Sequence, residues 1–227
     1  LGARAAVTRE VRVALGPLTG GGDRAEFAWR FWHDRPKVSA SLLLPAPWGG
    51  LWSAQIATEK QPFTTPGLPR EERLSAGLTT SAWTRGWFRW QSGAGLERWA
   101  RRGRFATAQG GVDLASLRGG AAVRVRVQTW LGPTRFSLVE MASRATRESR
   151  TGRYAVVARA AGSWITTASP LDLWPAGDTG HVRATWLRAH PLVRDGEFRA
   201  PRLGTRVVTG SLEAQRWWNV QIGRAHV

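Results

Sequence analysis

The segment Ala121-Ala-Val-Arg-Val-Arg-Val-Gln-Thr-Trp130 decides what kind of element this chain is built from. Val123, Val125, Val127 and Thr129 fall on one side of an extended backbone, and Arg124, Arg126, Gln128 and Trp130 fall on the other. A period of two marks a strand whose faces meet different surroundings, here one dry and one wet. A helix would scatter the same valines and arginines around its axis, and β-branched residues pack best on a pleated surface.

The rhythm continues in both directions. Upstream lie Phe105 to Leu114 and Trp87 to Trp99, where Phe88, Trp90, Ala94 and Leu96 oppose Arg89, Gln91, Gly93 and Glu97. Before them, Arg73 to Trp83 sets Leu74, Ala76 and Leu78 against Ser75, Gly77 and Thr79. Val38 to Leu44 and Leu51 to Glu59 form a hairpin through Pro45-Ala-Pro-Trp-Gly-Gly50, and Ala25 to Trp32 and Glu10 to Leu15 precede it. Downstream come Arg135 to Ser143, a charged loop from Arg144 to Arg150, and Tyr154 to Ile165. A polar loop from Thr166 to Gly180 then leads to two last arms, Val182 to Leu192 and Thr205 to Trp218. Leu96 to Arg102 contains helix-favouring residues, but the two-residue period runs through it. About twelve strands at regular spacing predict an all-β antiparallel meander, a sandwich or a barrel.

Composition bears on the choice between them. The chain has 227 residues, with 33 basic against 16 acidic, and Lys37 and Lys60 are its only lysines. Such an arginine excess also follows from GC-rich coding. The arginines are spread over nearly every segment instead of forming one stripe, which argues against nucleic acid as a partner. Fourteen tryptophans against one tyrosine is the larger anomaly. Indole rings, apolar with one polar tip, collect where a bilayer meets water and form girdles around transmembrane barrels. About ten tilted residues cross the roughly 25 Å apolar band of such a barrel, which is the length of these segments. No run approaches the ~18 apolar residues of a membrane helix. Cysteine is absent, so no disulfide framework or thiolate metal site exists.

The last arms carry a resemblance. Leu187-Arg188-Ala189-His190 stands at the head of a long loop, and Gly210-Ser-Leu-Glu213-Ala-Gln-Arg216 follows on the next strand. This resembles the bacterial surface-antigen family of BamA-like and TamA-like outer-membrane barrels. There, an aliphatic-Arg-Gly-aromatic tetrad on an inward-folded loop meets an acidic residue of the wall. Ala189 replaces the glycine of that tetrad and His190 the aromatic. The resemblance implies a lumen latch of Arg188 with Glu213, since a carboxylate in a restricted lumen needs a partner and a guanidinium offers a bidentate one. It also implies a partial barrel over residues 1–221, about twelve of the family's sixteen strands, left open as a curled sheet. Ile222 to Val227 reads as one frame of a sequencing adapter, a non-native tail.

The family's role is non-enzymatic insertion, assembly or translocation of proteins at the bacterial outer membrane. The partners it implies are membrane lipid and lipopolysaccharide, unfolded outer-membrane or secreted clients, and periplasmic or lipoprotein components. No cofactor is expected. His33, His181 and His190 show no metal-ligand spacing, and Gly20-Gly-Gly22 reads as a turn. Ser163 with His181 is the only hint of a hydrolase pair, and Arg70, Glu71, Glu72 and Arg73 read as a solvated charge cluster. The alternatives are a passive porin or adhesin barrel, and a soluble basic β-sandwich binding polyanion or carbohydrate.

Overall fold

Alternation of this kind forces neighbouring strands into a register that keeps like faces together, because a one-residue slip would carry every apolar side chain to the wet side. The computed structural model shows that outcome; it describes residues 10–17, 21–31, 36–61, 71–117, 120–149, 154–170, 173–174, 193–194, 197–198 and 204–216. Thirteen strands follow in chain order: β1 Glu10–Leu15, β2 Arg24–Arg30, β3 Lys37–Pro45, β4 Leu51–Gln61, β5 Glu71–Arg85, β6 Phe88–Trp99, β7 Gly103–Ala115, β8 Ala121–Leu131, β9 Phe136–Glu148, β10 Tyr154–Ile165, β11 Val193–Arg194, β12 Glu197–Phe198 and β13 Arg206–Arg216. Eleven form one antiparallel sheet in the order β1 to β10 and then β13, and β11 with β12 makes a separate two-stranded ribbon. β1 and β13 are the two ends of the sheet, which is open.

Eleven of the expected strands are thus present, with ends shifted by a few residues. The segment expected as a strand at Val182 to Leu192 lies outside the described residues. β10 pairs directly with β13, from Tyr154 opposite Arg216 to Trp164 opposite Arg206, so no seat remains between them for another wall strand. The charged loop expected from Arg144 is strand instead, and β9 continues to Glu148. Arg144, Thr146 and Glu148 fall on the side that also carries Arg159, where charge is hydrated and gives no reason to stop pairing. Leu96 to Trp99 belongs to β6.

The two faces differ along the whole sheet. Outward rows carry Val11 and Val13, Phe27 and Trp29, Ala40 and Leu42, Ala54 and Ile56, Leu74 and Leu78, Ala94 and Leu96, Val123 and Val127, Val139 and Met141, Val156 and Ala158, and Val208 and Leu212. Many of these are bare, with Leu96 68% exposed and Leu212 77% exposed, so the apolar surface has no covering layer among the described residues. Inward rows carry Glu, Arg, Ser, Thr, Gln and Gly.

The inward side is where the wall bends. Gly77 faces Gly95 across β5 and β6, with Gly93 and Gly111 on the same side of β6 and β7. A Cβ at Gly95 would lie 2.5 Å from the Ala76 carbonyl and 3.0 Å from the Gly77 Cα, contacts that backbone cannot relieve. Side chains converge on the concave side of a curled sheet, and glycine lets the strands turn there. The hairpin between β3 and β4 is closed by Ala46 N–H to the Gly50 carbonyl at 2.8 Å, with Gly49 at φ 76°.

Candidate functional site on the inward wall

The inward face holds a row of ion pairs that crosses from strand to strand. Arg12 reaches Glu10 and Glu26, Arg30 reaches Glu59 at 3.2 Å, and Arg73 meets Glu97. Arg89 and Arg124 both approach Asp113, at 3.7 and 2.7 Å, and Arg159 donates to Glu213 at 2.9 Å. Acid and base at neighbouring inward positions of adjacent strands meet in this way because facing side chains lie about 5 Å apart.

Glu97 is the most enclosed member, with 5% of its surface exposed. Its Oε2 accepts from Arg73 Nε at 3.0 Å, Trp99 Nε1 at 3.1 Å and Trp130 Nε1 at 2.8 Å, while Oε1 accepts from Arg73 Nη2. The Arg73 guanidinium also lies over the Trp99 ring, 5.1 Å from its centroid. Trp99, Phe105, Trp130 and Phe136 form the buried core cluster, with Trp130 stacked on Phe136 at 4.9 Å and Phe105 edge-on to Phe136 at 5.4 Å. A carboxylate out of water needs its lone pairs satisfied; here indole and guanidinium donors do so while the rings exclude solvent.

The start of the connection from β10 to β13 packs on this cluster. Thr166 exchanges hydrogen bonds with Ser137, its N–H donating to the Ser137 carbonyl at 3.1 Å and its Oγ1 accepting from Ser137 N–H at 3.2 Å. Ser169 and Pro170 are buried, Arg102 donates to the Ala168 carbonyl at 3.4 Å, and Leu173 rests on the aromatic rings. Beside the cluster, a concavity of about 260 Å³ is lined by hydroxyl and amide side chains including Ser53, Gln55, Thr79, Thr107, Gln109 and Gln128.

Of the residues singled out from sequence, Leu187, Arg188, Ala189 and His190 lie outside the described residues. Glu213 faces inward on β13, opposite Val157, and its Oε1 accepts from Gln215 at 2.7 Å while Oε2 takes Arg159. Gly210 points outward opposite Ala160, and a Cβ there would meet only the Arg159 carbonyl at 3.8 Å, so space does not demand a glycine. Ser163 is buried on the inward face opposite Glu140 and Val207, and His181 lies outside the described residues. The cluster read as solvated divides in two. Glu72 pairs with Lys60 at the surface, while Glu71 is buried 3.8 Å from Arg102 and Arg73 is drawn in to Glu97. No group of His, Cys, Asp and Glu suited to a metal ion occurs among the described residues.

Tryptophan does two jobs here, of which composition shows one. Trp29, with Phe31 5.4 Å away, and Trp164 lie toward the end of the wall that carries the 166–205 connection. Trp52, packed edge-on with Trp48 at 5.2 Å, and Trp90 and Tyr154 face outward at the other end. Among the described residues, outward charges sit only at these ends, as with Glu72, Arg98, Arg104, Arg147, Arg206 and Arg216. Trp99 and Trp130, by contrast, point inward and are sealed against Glu97. The signal for them was available: Trp99 shares strand parity with Glu97, and Trp130 shares it with Arg126 and Gln128.

An uncovered apolar band between two aromatic rims, backed by a charged concave face, is a pattern that transmembrane barrel walls also have. The wall is similar to that of BamA. The solved structure of BamA from Haemophilus ducreyi lacking POTRA domains 1-3 superposes with a TM-score of 0.61 at 12% identity, over 75% of this chain and 41% of that one. The chain therefore spans well under half of that BamA structure. No protein-family description and no curated protein matches the sequence.

Proposed function

We propose that this chain is wall of a BamA-like barrel of the bacterial outer membrane, acting without bond chemistry in the insertion or translocation of other proteins. The observation that carries the membrane part is the outward face. Apolar side chains such as Ile56, Leu96, Val208 and Leu212 lie bare across the sheet, with aromatic rings at both ends. In water such a patch would far exceed what a soluble monomer leaves uncovered. In a bilayer it is the expected lipid-facing side, and the ladders satisfy the backbone as lipid demands everywhere but at the free edges of β1 and β13, which further strands of a complete barrel would pair. Such a barrel would take its driving force from the client's own strand pairing and apolar burial.

The assembly role rests on likeness of fold and on the Leu187 to His190 motif with Glu213. In this reading Arg188 reaches Glu213 on the lumen side, where Arg159 already holds one oxygen. Phase separation in a cloud-point detergent, followed by a cold-versus-heated gel shift, tests the membrane reading. The chain is expected in the detergent phase with a folded, fast-migrating band. Recovery from the aqueous phase as a folded monomer would instead support the basic sandwich.

A further inference from the structure

On the inward wall most guanidinium groups meet a carboxylate, as Arg12, Arg30, Arg73, Arg89, Arg124 and Arg159 do, with Arg126 and Arg144 the exceptions among the described residues. The outward rim at the end of the 166–205 connection breaks that habit. Arg98 of β6 and Arg104 of β7 face each other in register, both outward and both exposed, on either side of the Ala100 to Arg102 turn. Among the described residues neither has an ion-pair partner. The nearest acidic side chain of that face, Glu72, is taken by Lys60. Like charges directly opposite on a sheet destabilise the pairing, so the sheet carries an uncompensated repulsion there. Immediately inboard on the same face, Leu96 is opposite Ala106, and the apolar band begins. Two cations sit at the level where headgroups would lie, and apolar surface runs below them where acyl chains would lie.

Resting on the membrane reading above, we infer that Arg98 and Arg104 form a binding site for the phosphate of an acylated lipid, held between the two guanidinium groups with its chains along Leu96 and Ala106. A phosphate offers the several acceptor oxygens that two forked donors can share, and its charge removes the repulsion. The requirement for both parts, anion and acyl chain, distinguishes this ligand from a soluble anion.

The test uses the full chain folded in uncharged detergent micelles, with diphosphorylated lipid A as probe and bound lipid counted by native mass spectrometry. The paired variant Arg98→Gln with Arg104→Gln is expected to weaken retention about thirtyfold, at roughly 1 kcal/mol per arginine near a charged lipid surface. Arg147→Gln, outward at the opposite end of the wall, is expected to leave it unchanged. Dephosphorylated lipid A should bind the parent no better than the paired variant does, and millimolar inorganic phosphate should not displace the intact lipid. Equal retention by parent and paired variant overturns the site. Full displacement by inorganic phosphate overturns the lipid assignment in favour of a soluble anion. Failure of the parent to enter micelles at all sinks the membrane reading itself, and is seen before any lipid is added.

Discussion

Replacing Glu97 by alanine is the sharpest way to ask whether the inward cluster holds the wall together. Four hydrogen bonds end on that carboxylate, two from Arg73 and one each from the Trp99 and Trp130 indoles. Removing one partner of a buried ion pair costs about 3–5 kcal/mol, and each indole N–H left without an acceptor adds roughly 1 kcal/mol or more. Arg73 keeps 23% of its side-chain surface exposed and can turn toward water, which offsets part of the loss. The expected destabilisation is about 3–4 kcal/mol. Urea titration of the micelle-folded chain, followed by tryptophan emission, measures it. The companion variant Arg73→Met with Glu97→Leu removes the charges together and should cost less than the separate changes added, with a coupling above about 1 kcal/mol. A Glu97→Ala cost below ~0.5 kcal/mol, or strict additivity within ~0.5 kcal/mol, would refute the idea that this carboxylate organises the cluster.

Three further outcomes follow from the same geometry. Gly95→Val should cost at least about 2 kcal/mol or prevent folding, because its Cβ would meet the Ala76 carbonyl at 2.5 Å, whereas Gly210→Ala, with nothing nearer than 3.8 Å, should be silent in the same urea titration. Ile56→Arg, on the outward face and 52% exposed, should impair insertion into vesicles by roughly 2–4 kcal/mol; improved folding there would mean that water, not lipid, meets that face. Arg188→Ala should increase protease cleavage within 166–205 in the folded protein, and an unchanged cleavage pattern would remove the latch from the proposal.

Much of the wall was legible because its chemistry is repeated residue by residue. Val123 to Trp130 and Val208 to Gln215 show by parity alone which side they present, and the structure keeps that parity in the ladders of β8 and β13. What parity does not show is distance. Glu97 and Trp130 are 33 residues apart and meet only because β7 carries the chain out and back between them. Composition alone misplaces Trp99 and Trp130: fourteen tryptophans point to a girdle, whereas the parity these two share with Glu97 and Gln128 puts them on the inward side. Strand ends were blurred for a related reason. Charges at Arg144 and Glu148 look like a loop when charge is assumed to lie only beyond the strands, yet the polar inward face of this wall runs the whole length of β9. For Glu213 the surrounding wall assigns a partner, Arg159, that the motif does not mention.

The direct pairing of β10 with β13 also says something about where this chain can be rewritten. The ladder between them runs unbroken from Tyr154 opposite Arg216 to Trp164 opposite Arg206, and each doubling of a bridging loop costs only about 0.6 kcal/mol in closure entropy, so the bridge can change length while the ladder is kept. The permissive region should begin only after Leu173, because Thr166 to Pro170 and Leu173 are tied to the aromatic cluster. An epitope inserted downstream of that anchorage and clear of Leu187 to His190 would leave both the ladder and the motif untouched, displayed from a scaffold that need not register the change.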